Sequence, residues 1–230
     1  MTSHELKTVI VTGGASGLGA AVVGSVGRAG ARPFVLDRAE PSHDVEHEIV
    51  DLADTAAAEA AVQRVAERHP DLSAVVTCAG TDSPGKLGGV PTADWEKVVR
   101  VNLLGTAAVV RAALPYLEAS SGRVVTVAST LGVRALSDAT AYCASKFGVV
   151  GFTRALAAET AGRVGVTLLI PGGMSTAFFD ARDEQYRPPP DAKLNRPEDV
   201  ADAVLFALCQ PPGCEVREMV VAHSTEPSWP

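Results

Sequence analysis

The chain has 230 residues, of which 47% are hydrophobic and 20% charged, and its formal net charge is -7 at pH 7. This composition supports a sizeable core and excludes fibrous, low-complexity and disordered classes. An acidic balance with no run of Lys or Arg disfavours nucleic acid and anionic lipid surfaces as partners.

Short β-branched runs alternate with longer Ala-rich stretches along the whole sequence. Taken in order, the pattern predicts a strand at Thr8–Thr12, a helix at Gly17–Arg28, strands at Arg32–Leu36 and Glu48–Val50, and a helix at Thr55–His69. A strand at Ala74–Cys78, a helix at Ala93–Leu117, a strand at Arg123–Ala128 and a helix at Ala139–Glu159 come next. The series closes with a strand at Gly165–Ile170, a helix at Pro197–Leu208 and a strand at Val216–Val221. Asp54 or Thr55, Thr92, and Pro197 with Glu198 and Asp199 mark helix starts. Nearly continuous apolar strands suit a sheet covered on both faces. The expected fold is therefore α/β: a doubly wound, Rossmann-type parallel sheet of about seven strands, its site at the carboxyl ends of the strands. One domain is expected over residues 1–230, with the long irregular segment 172–196 as a substrate loop.

Thr8–Gly27 is uncharged and as long as a membrane span, but it holds six glycines and lacks the basic start of a secretory signal. A cytoplasmic protein without membrane contact is expected. The four cysteines, Cys78, Cys143, Cys209 and Cys214, form no Cys-x-x-Cys pair and read as reduced thiols.

The first strand runs into Thr12-Gly13-Gly14-Ala15-Ser16-Gly17-Leu18-Gly19. Glycine permits a tight turn and close approach of backbone to phosphate, and the helix start offers N–H groups and a favourable dipole to a pyrophosphate. Asp37 closes the second strand roughly 20 residues on, where a carboxylate can accept from the adenosine ribose hydroxyls. That charge repels a 2′-phosphate and favours NAD over NADP, while the adjacent Arg38 offers adenine stacking or a phosphate partner.

Tyr142 and Lys146 lie four apart in a predicted helix and share a face. A lysine ammonium beside a phenol favours the phenolate, which suits tyrosine to general acid–base work. Ser129 ends the preceding strand, where sites of open α/β sheets form.

These residues resemble the short-chain dehydrogenase/reductase family over nearly the whole chain. Thr12-Gly13-x-x-x-Gly17-x-Gly19, Asp37, Asp51-Leu52, Cys78-Ala79-Gly80, Asn102, Ser129, Tyr142-x-x-x-Lys146, Pro171-Gly172 and Thr176 fall in family order. The resemblance implies that Tyr142 moves the proton, Ser129 holds the substrate oxygen, Lys146 tunes Tyr142 and binds the nicotinamide ribose, and Asn102 completes a water relay. It also implies that Asp51 and Leu52 contact adenine, that Ala79, Gly80, Pro171 and Gly172 line the cofactor, and that Thr176 holds the carboxamide. A homodimer or homotetramer is implied, formed through the helices at residues 98–117 and 147–156.

Two departures stand out. Thr77-Cys78-Ala79-Gly80 replaces the family's Asn-Asn-Ala-Gly, and Glu215–Pro230 lacks the usual glycine-rich ending. His43-x-x-Glu46-His47 matches an inverted zinc-peptidase pattern, but Pro41-Ser42 before it and a strand after it leave little room for a helix, so no metal is expected.

The sequence thus predicts an NAD(P)-dependent oxidoreductase that interconverts a secondary alcohol and a ketone. A dinucleotide-binding sensor on the same scaffold is the alternative, although it would need only the glycine turn and Asp37. The substrate pocket is expected from residues 81–86, 131–134 and 174–186, with Leu131, Met174 and Phe178 as its apolar contacts and Asp82, Arg134 and Arg182 as its polar ones.

Overall fold

Why the strands are so uniformly apolar is evident from their burial: every residue of β1 (Thr8–Thr12), β4 (Leu72–Thr77), β5 (Arg123–Val127) and β6 (Gly165–Pro171) is buried. The computed structural model describes residues 5–42 and 44–229. With β2 (Arg32–Asp37), β3 (Glu46–Ile49) and β7 (Glu218–Val221), these form a seven-stranded sheet in the order β3-β2-β1-β4-β5-β6-β7. All six pairings are parallel. The predicted Rossmann-type sheet is the observed one.

Alternation along each strand divides the core between two layers. Ile10, Phe34, Leu36, Val75 and Val124 face α2 (Thr55–Arg68) and α4 (Thr106–Ser120) through Ala58, Val62, Val65, Val109 and Leu117. Val9, Val11, Val35, Val76 and Val125 face α1 (Gly17–Arg28) and α6 (Pro197–Leu208) through Val22, Val26, Val200 and Val204. Side chains two apart point to one face of a strand, so neighbouring valines and isoleucines serve opposite layers. A third cluster joins Val149 and Val150 of α5 (Thr140–Glu159) to Leu168 and Ile170 of β6.

The sequence places the two edge strands slightly off. β3 begins at Glu46 rather than Glu48, and β7 at Glu218 rather than Val216. An edge strand faces water along one side and on part of its surface, so polar residues occupy it and hydrophobicity misjudges its ends. Within β3, Glu46 pairs with Phe34 and Ile49 with Asp37. Strand geometry at Glu46 and His47 excludes the helix that the zinc pattern needs; His43 lies outside the described residues.

The predicted helix at 93–117 is three consecutive segments: α3 (Thr92–Val99), a π-helical stretch (Arg100–Gly105) and α4, which continues through Pro115. Pro91, not Thr92, occupies the N-cap. The run Thr92–Ser120 is apolar and long enough to cross a membrane on length and composition, yet Val98, Val109, Val110, Ala113 and Leu117 are spent on the interior. A side chain on Gly105 would come 2.7 Å from the Leu52 carbonyl, so the glycine lets the widened turn approach the loop after β3.

Arg123 is the buried cation at the start of β5, and its guanidinium donates to the carbonyls of Gln210 at 2.9 Å, Pro211 at 3.2 Å and Cys214 at 3.3 Å. It fastens the connection between α6 and β7 to the sheet centre. Arg123→Met is expected to lower the unfolding free energy by about 2 kcal/mol, measured by urea titration, because three carbonyls lose a charged donor.

Candidate active site

The strand order reverses between β1 and β4, and connections leave the sheet in opposite directions there, opening a crevice at the carboxyl ends. A cleft of about 1060 Å³ occupies this position. Its first wall is the glycine turn. Gly13 (φ +70°) and Gly17 (φ +53°) adopt a backbone that side chains disfavour. A Cβ on Gly13 would lie 2.7 Å from the Ala79 backbone, and one on Gly19 only 2.0 Å from the Gly13 carbonyl. Ser16 caps α1 in extended geometry without a side-chain bond, which leaves the N–H groups of the first turn exposed toward the cleft.

Asp37 ends β2 beside this turn, its Oδ2 accepting from the Ala15 N–H at 2.9 Å and its Oδ1 from Ala39 at 3.1 Å. The carboxylate therefore braces the glycine turn, a role the sequence did not reveal. The same cleft is bordered by Gly13, Ser16, Gly17, Leu18, Gly19, Asp37, Arg38, Asp51, Leu52, Ala79, Gly80, Tyr142, Lys146, Pro171, Gly172 and Thr176. Every residue expected to hold a dinucleotide is thus brought to one surface.

Residues 7–187 match the family model for short chain dehydrogenases. The chain belongs to the short-chain dehydrogenase/reductase family. An uncharacterised oxidoreductase of Staphylococcus aureus (strain MW2) is 31% identical over 96% of this chain and 99% of its own length. A (2S)-[(R)-hydroxy(phenyl)methyl]succinyl-CoA dehydrogenase subunit of Thauera aromatica is 30% identical, covering 87% of this chain and 88% of that one. Among solved structures, a variant of actinorhodin polyketide ketoreductase with NADPH superposes with a TM-score of 0.84 at 27% identity, over 96% of this chain and 98% of that one. The protein is accordingly an oxidoreductase of this family with an NAD(P)-binding Rossmann fold.

In this short-chain dehydrogenase, Ser129 leaves β5 in extended geometry and Tyr142 and Lys146 rise from the first two turns of α5. Ser129 and Tyr142 both line the cleft, and the serine hydroxyl favours the ionised phenol. Lys146 is 4% exposed; its Nζ donates to the Val127 carbonyl at 2.8 Å and sits 5.7 Å from the centre of the Tyr142 ring. Burial pushes the Tyr142 phenol up to about 12 and Asp82 pushes the same way, while Ser129 and Arg182 oppose them. Burial also draws Lys146 down to about 8, opposed by Cys78. The sequence suggested a lysine that lowers the tyrosine pKa. Here burial dominates both groups, and the charges acting on the phenol come from Asp82, Arg182 and Cys143. Cys78, which replaces a family asparagine, is half-buried near Lys146, and desolvation holds its thiol up at about 12.

Asn102 sits in the π-helical stretch and is fully buried. Its side chain accepts from Thr81 N at 2.8 Å and donates to the Thr81 carbonyl at 2.9 Å and to Ser145 Oγ at 3.0 Å. Thr106 Oγ1 donates to its main-chain carbonyl at 2.9 Å. Asn102 thus ties the loop after β4 to α5, one layer behind the cleft wall.

At the substrate end, Leu131, Met174 and Phe178 border the cleft as expected, whereas Val133 and Arg134 do not. Arg134 instead donates to the Pro227 carbonyl at 2.9 Å. The segment after β7, which the sequence marked only as a departure from the family, folds back over its own cleft. Glu226 Oε2 accepts from Gly173 N at 2.9 Å, its Oε1 accepts from Ser228 Oγ at 2.6 Å, and Ser228 lies 2.7 Å from Thr130 Oγ1. Burial would push the Glu226 carboxyl up, but the bonds from Ser228 and Gly173 outweigh it and hold it below the usual carboxylate range. No periodic pattern signals such a strap, because three scattered polar contacts hold it.

Two outcomes test the geometry. Gly19→Ala is expected to abolish dinucleotide binding, read by reduced-cofactor fluorescence, because its methyl collides with the Gly13 carbonyl. For Lys146, a folded-state pKa of about 8 against an ordinary 10.5 means the native state binds fewer protons than the unfolded chain inside that window. The stability it contributes is present above the window and lost as pH falls through about 8. Wild-type Tm should therefore rise relative to that of Lys146→Met between pH 8 and pH 10, followed by thermal melts.

Proposed function

We propose that this chain interconverts a secondary alcohol and a ketone, with Tyr142 as general acid–base, and prefers NAD to NADP. The observation that carries this reading is that Ser129, Tyr142 and Lys146 line the same cleft as the glycine turn, with Lys146 Nζ 5.7 Å from the centre of the Tyr142 ring. The names of two relatives support it: one is a dehydrogenase whose substrate bears a hydroxy(phenyl)methyl group, the other a ketoreductase solved with NADPH.

The glycine turn and the start of α1 suit a pyrophosphate, Asp37 the adenosine ribose hydroxyls, Asp51 and Leu52 the adenine, Lys146 the nicotinamide ribose and Thr176 the carboxamide. The bound dinucleotide supplies or accepts the hydride. In the oxidation direction the substrate hydroxyl proton passes to the Tyr142 phenolate, Ser129 Oγ holds the same oxygen, and the carbinol hydrogen leaves as hydride. In reduction Tyr142 returns its proton to the oxygen that forms the alcohol. Lys146 Nζ lies 5.7 Å from the centre of the phenol ring, and its pKa, lowered to about 8, keeps its own proton exchangeable. The Asp37 carboxylate, retaining lone pairs beyond its two backbone contacts, accepts from ribose hydroxyls and repels a 2′-phosphate.

Tyr142→Phe should retain dinucleotide binding and lose about 10²- to 10⁴-fold in kcat, the usual worth of a positioned proton carrier; a kcat near wild type sinks the mechanism. In fluorescence titrations NADH should bind more tightly than NADPH, and Asp37→Ala should narrow the gap. A preference for NADPH would overturn the Asp37 argument.

A further inference from the structure

Beyond Tyr142 the substrate end of the cleft contains one ion pair that the proton chemistry does not use. Arg182, on the loop after β6, meets Asp82, on the loop after β4, with Nη2 2.7 Å from Oδ2. Their side chains are 15% and 6% exposed, and both line the cleft. The guanidinium is clamped by two rings, its Cζ 5.0 Å from the centre of Phe178 and 4.6 Å from that of Phe179. Phe178 stands 5.9 Å from the Tyr142 ring, so Tyr142, Phe178 and Arg182 follow one another along the wall.

A guanidinium has five N–H donors in a fixed plane. One Nη2 donor serves Asp82 and an Nη1 donor reaches the Tyr186 carbonyl at 3.3 Å. Nε is buried and has no acceptor among the described residues. Closed off from the cleft, Nε is not the donor a ligand meets; the remaining Nη hydrogens, on a side chain that lines the cleft, are. The local charge balance says which kind of oxygen suits them. Asp82 already matches Arg182, and across the cleft Glu226 adds a carboxylate held below the usual range. A ligand anion held at Arg182 would lie beside the Asp82 carboxylate that already matches it.

Resting on the alcohol–ketone reading, we propose that Arg182 reads the far end of the substrate and selects uncharged compounds with an apolar ring over Phe178 and a neutral acceptor oxygen beyond it. Asp82 is the positioning residue that cancels the charge and orients the guanidinium, so the site favours hydroxyl, ether or carbonyl groups over carboxylates.

Three ketones of one shape test this: 4-phenylcyclohexanone, 4-(4-hydroxyphenyl)cyclohexanone and 4-(4-carboxyphenyl)cyclohexanone. Their binding to the protein in the presence of NADH or NADPH is measured by calorimetry, and their reduction is followed separately. The wild type should bind the hydroxyl compound roughly tenfold more tightly than the phenyl compound and the carboxylate most weakly, the worth of one hydrogen bond to a charged group. Arg182→Met should erase the hydroxyl advantage. Asp82→Asn leaves the guanidinium unmatched and should make the carboxylate the best ligand of the three. A hydroxyl advantage that survives Arg182→Met overturns the proposal, as does a wild type that prefers the carboxylate, fails to discriminate, or binds none of the three. Discrimination in binding without turnover would uphold the recognition and sink the alcohol–ketone reading. Turnover of all three without discrimination would do the reverse.

Discussion

The site depends on one close approach of main chain to main chain. Where β1 ends, the Gly13 backbone packs so tightly on Ala79 at the end of β4 that no side chain fits between them. This contact sits where the winding of the sheet reverses, and it fixes the spacing of the two crevice walls. Asp37 braces the turn from one side through Ala15. Asn102 braces the other through Thr81, next to Gly80. The spacing of the crevice walls is consequently set by backbone geometry.

Beside this frame, Lys146 is buried and Tyr142 half-buried on the cleft wall. Tyr142 and Lys146 have pKa values displaced toward their uncharged forms, to about 12 and about 8, because burial outweighs the charges near them. Desolvation thus does more for the site than the ion-pair logic of a tyrosine and lysine four residues apart. Such a pair, taken from sequence, reveals proximity but not dielectric.

The fold was legible because buried parallel strands announce themselves: β1, β4, β5 and β6 are continuous apolar runs, and the helices between them carry clear periodicity. Edge strands were less so, since the exposed Glu46 and His47 belong to β3 although nothing apolar marks them. The residues expected to hold a dinucleotide line one cleft, because glycine turns and strand-end acids occur at positions dictated by backbone geometry. What escaped was everything built from long-range polar contacts. The Asp82–Arg182 pair joins loops a hundred residues apart. The Glu226–Gly173 contact, the Ser228–Thr130 contact and the π-helical turn around Asn102 likewise have no local signature.

The strap formed by residues 222–229 has a practical consequence. A peptide fused after Pro230 would hang from a segment whose Ser228 touches Thr130, the neighbour of Ser129. β1 begins at the opposite end of the parallel sheet, where the Lys7 N–H meets Ser73 Oγ at 2.9 Å. Handles for purification, immobilisation or labelling attached at that amino-terminal end leave the cleft mouth clear. The same handles inserted beside Ser228 would crowd the mouth itself.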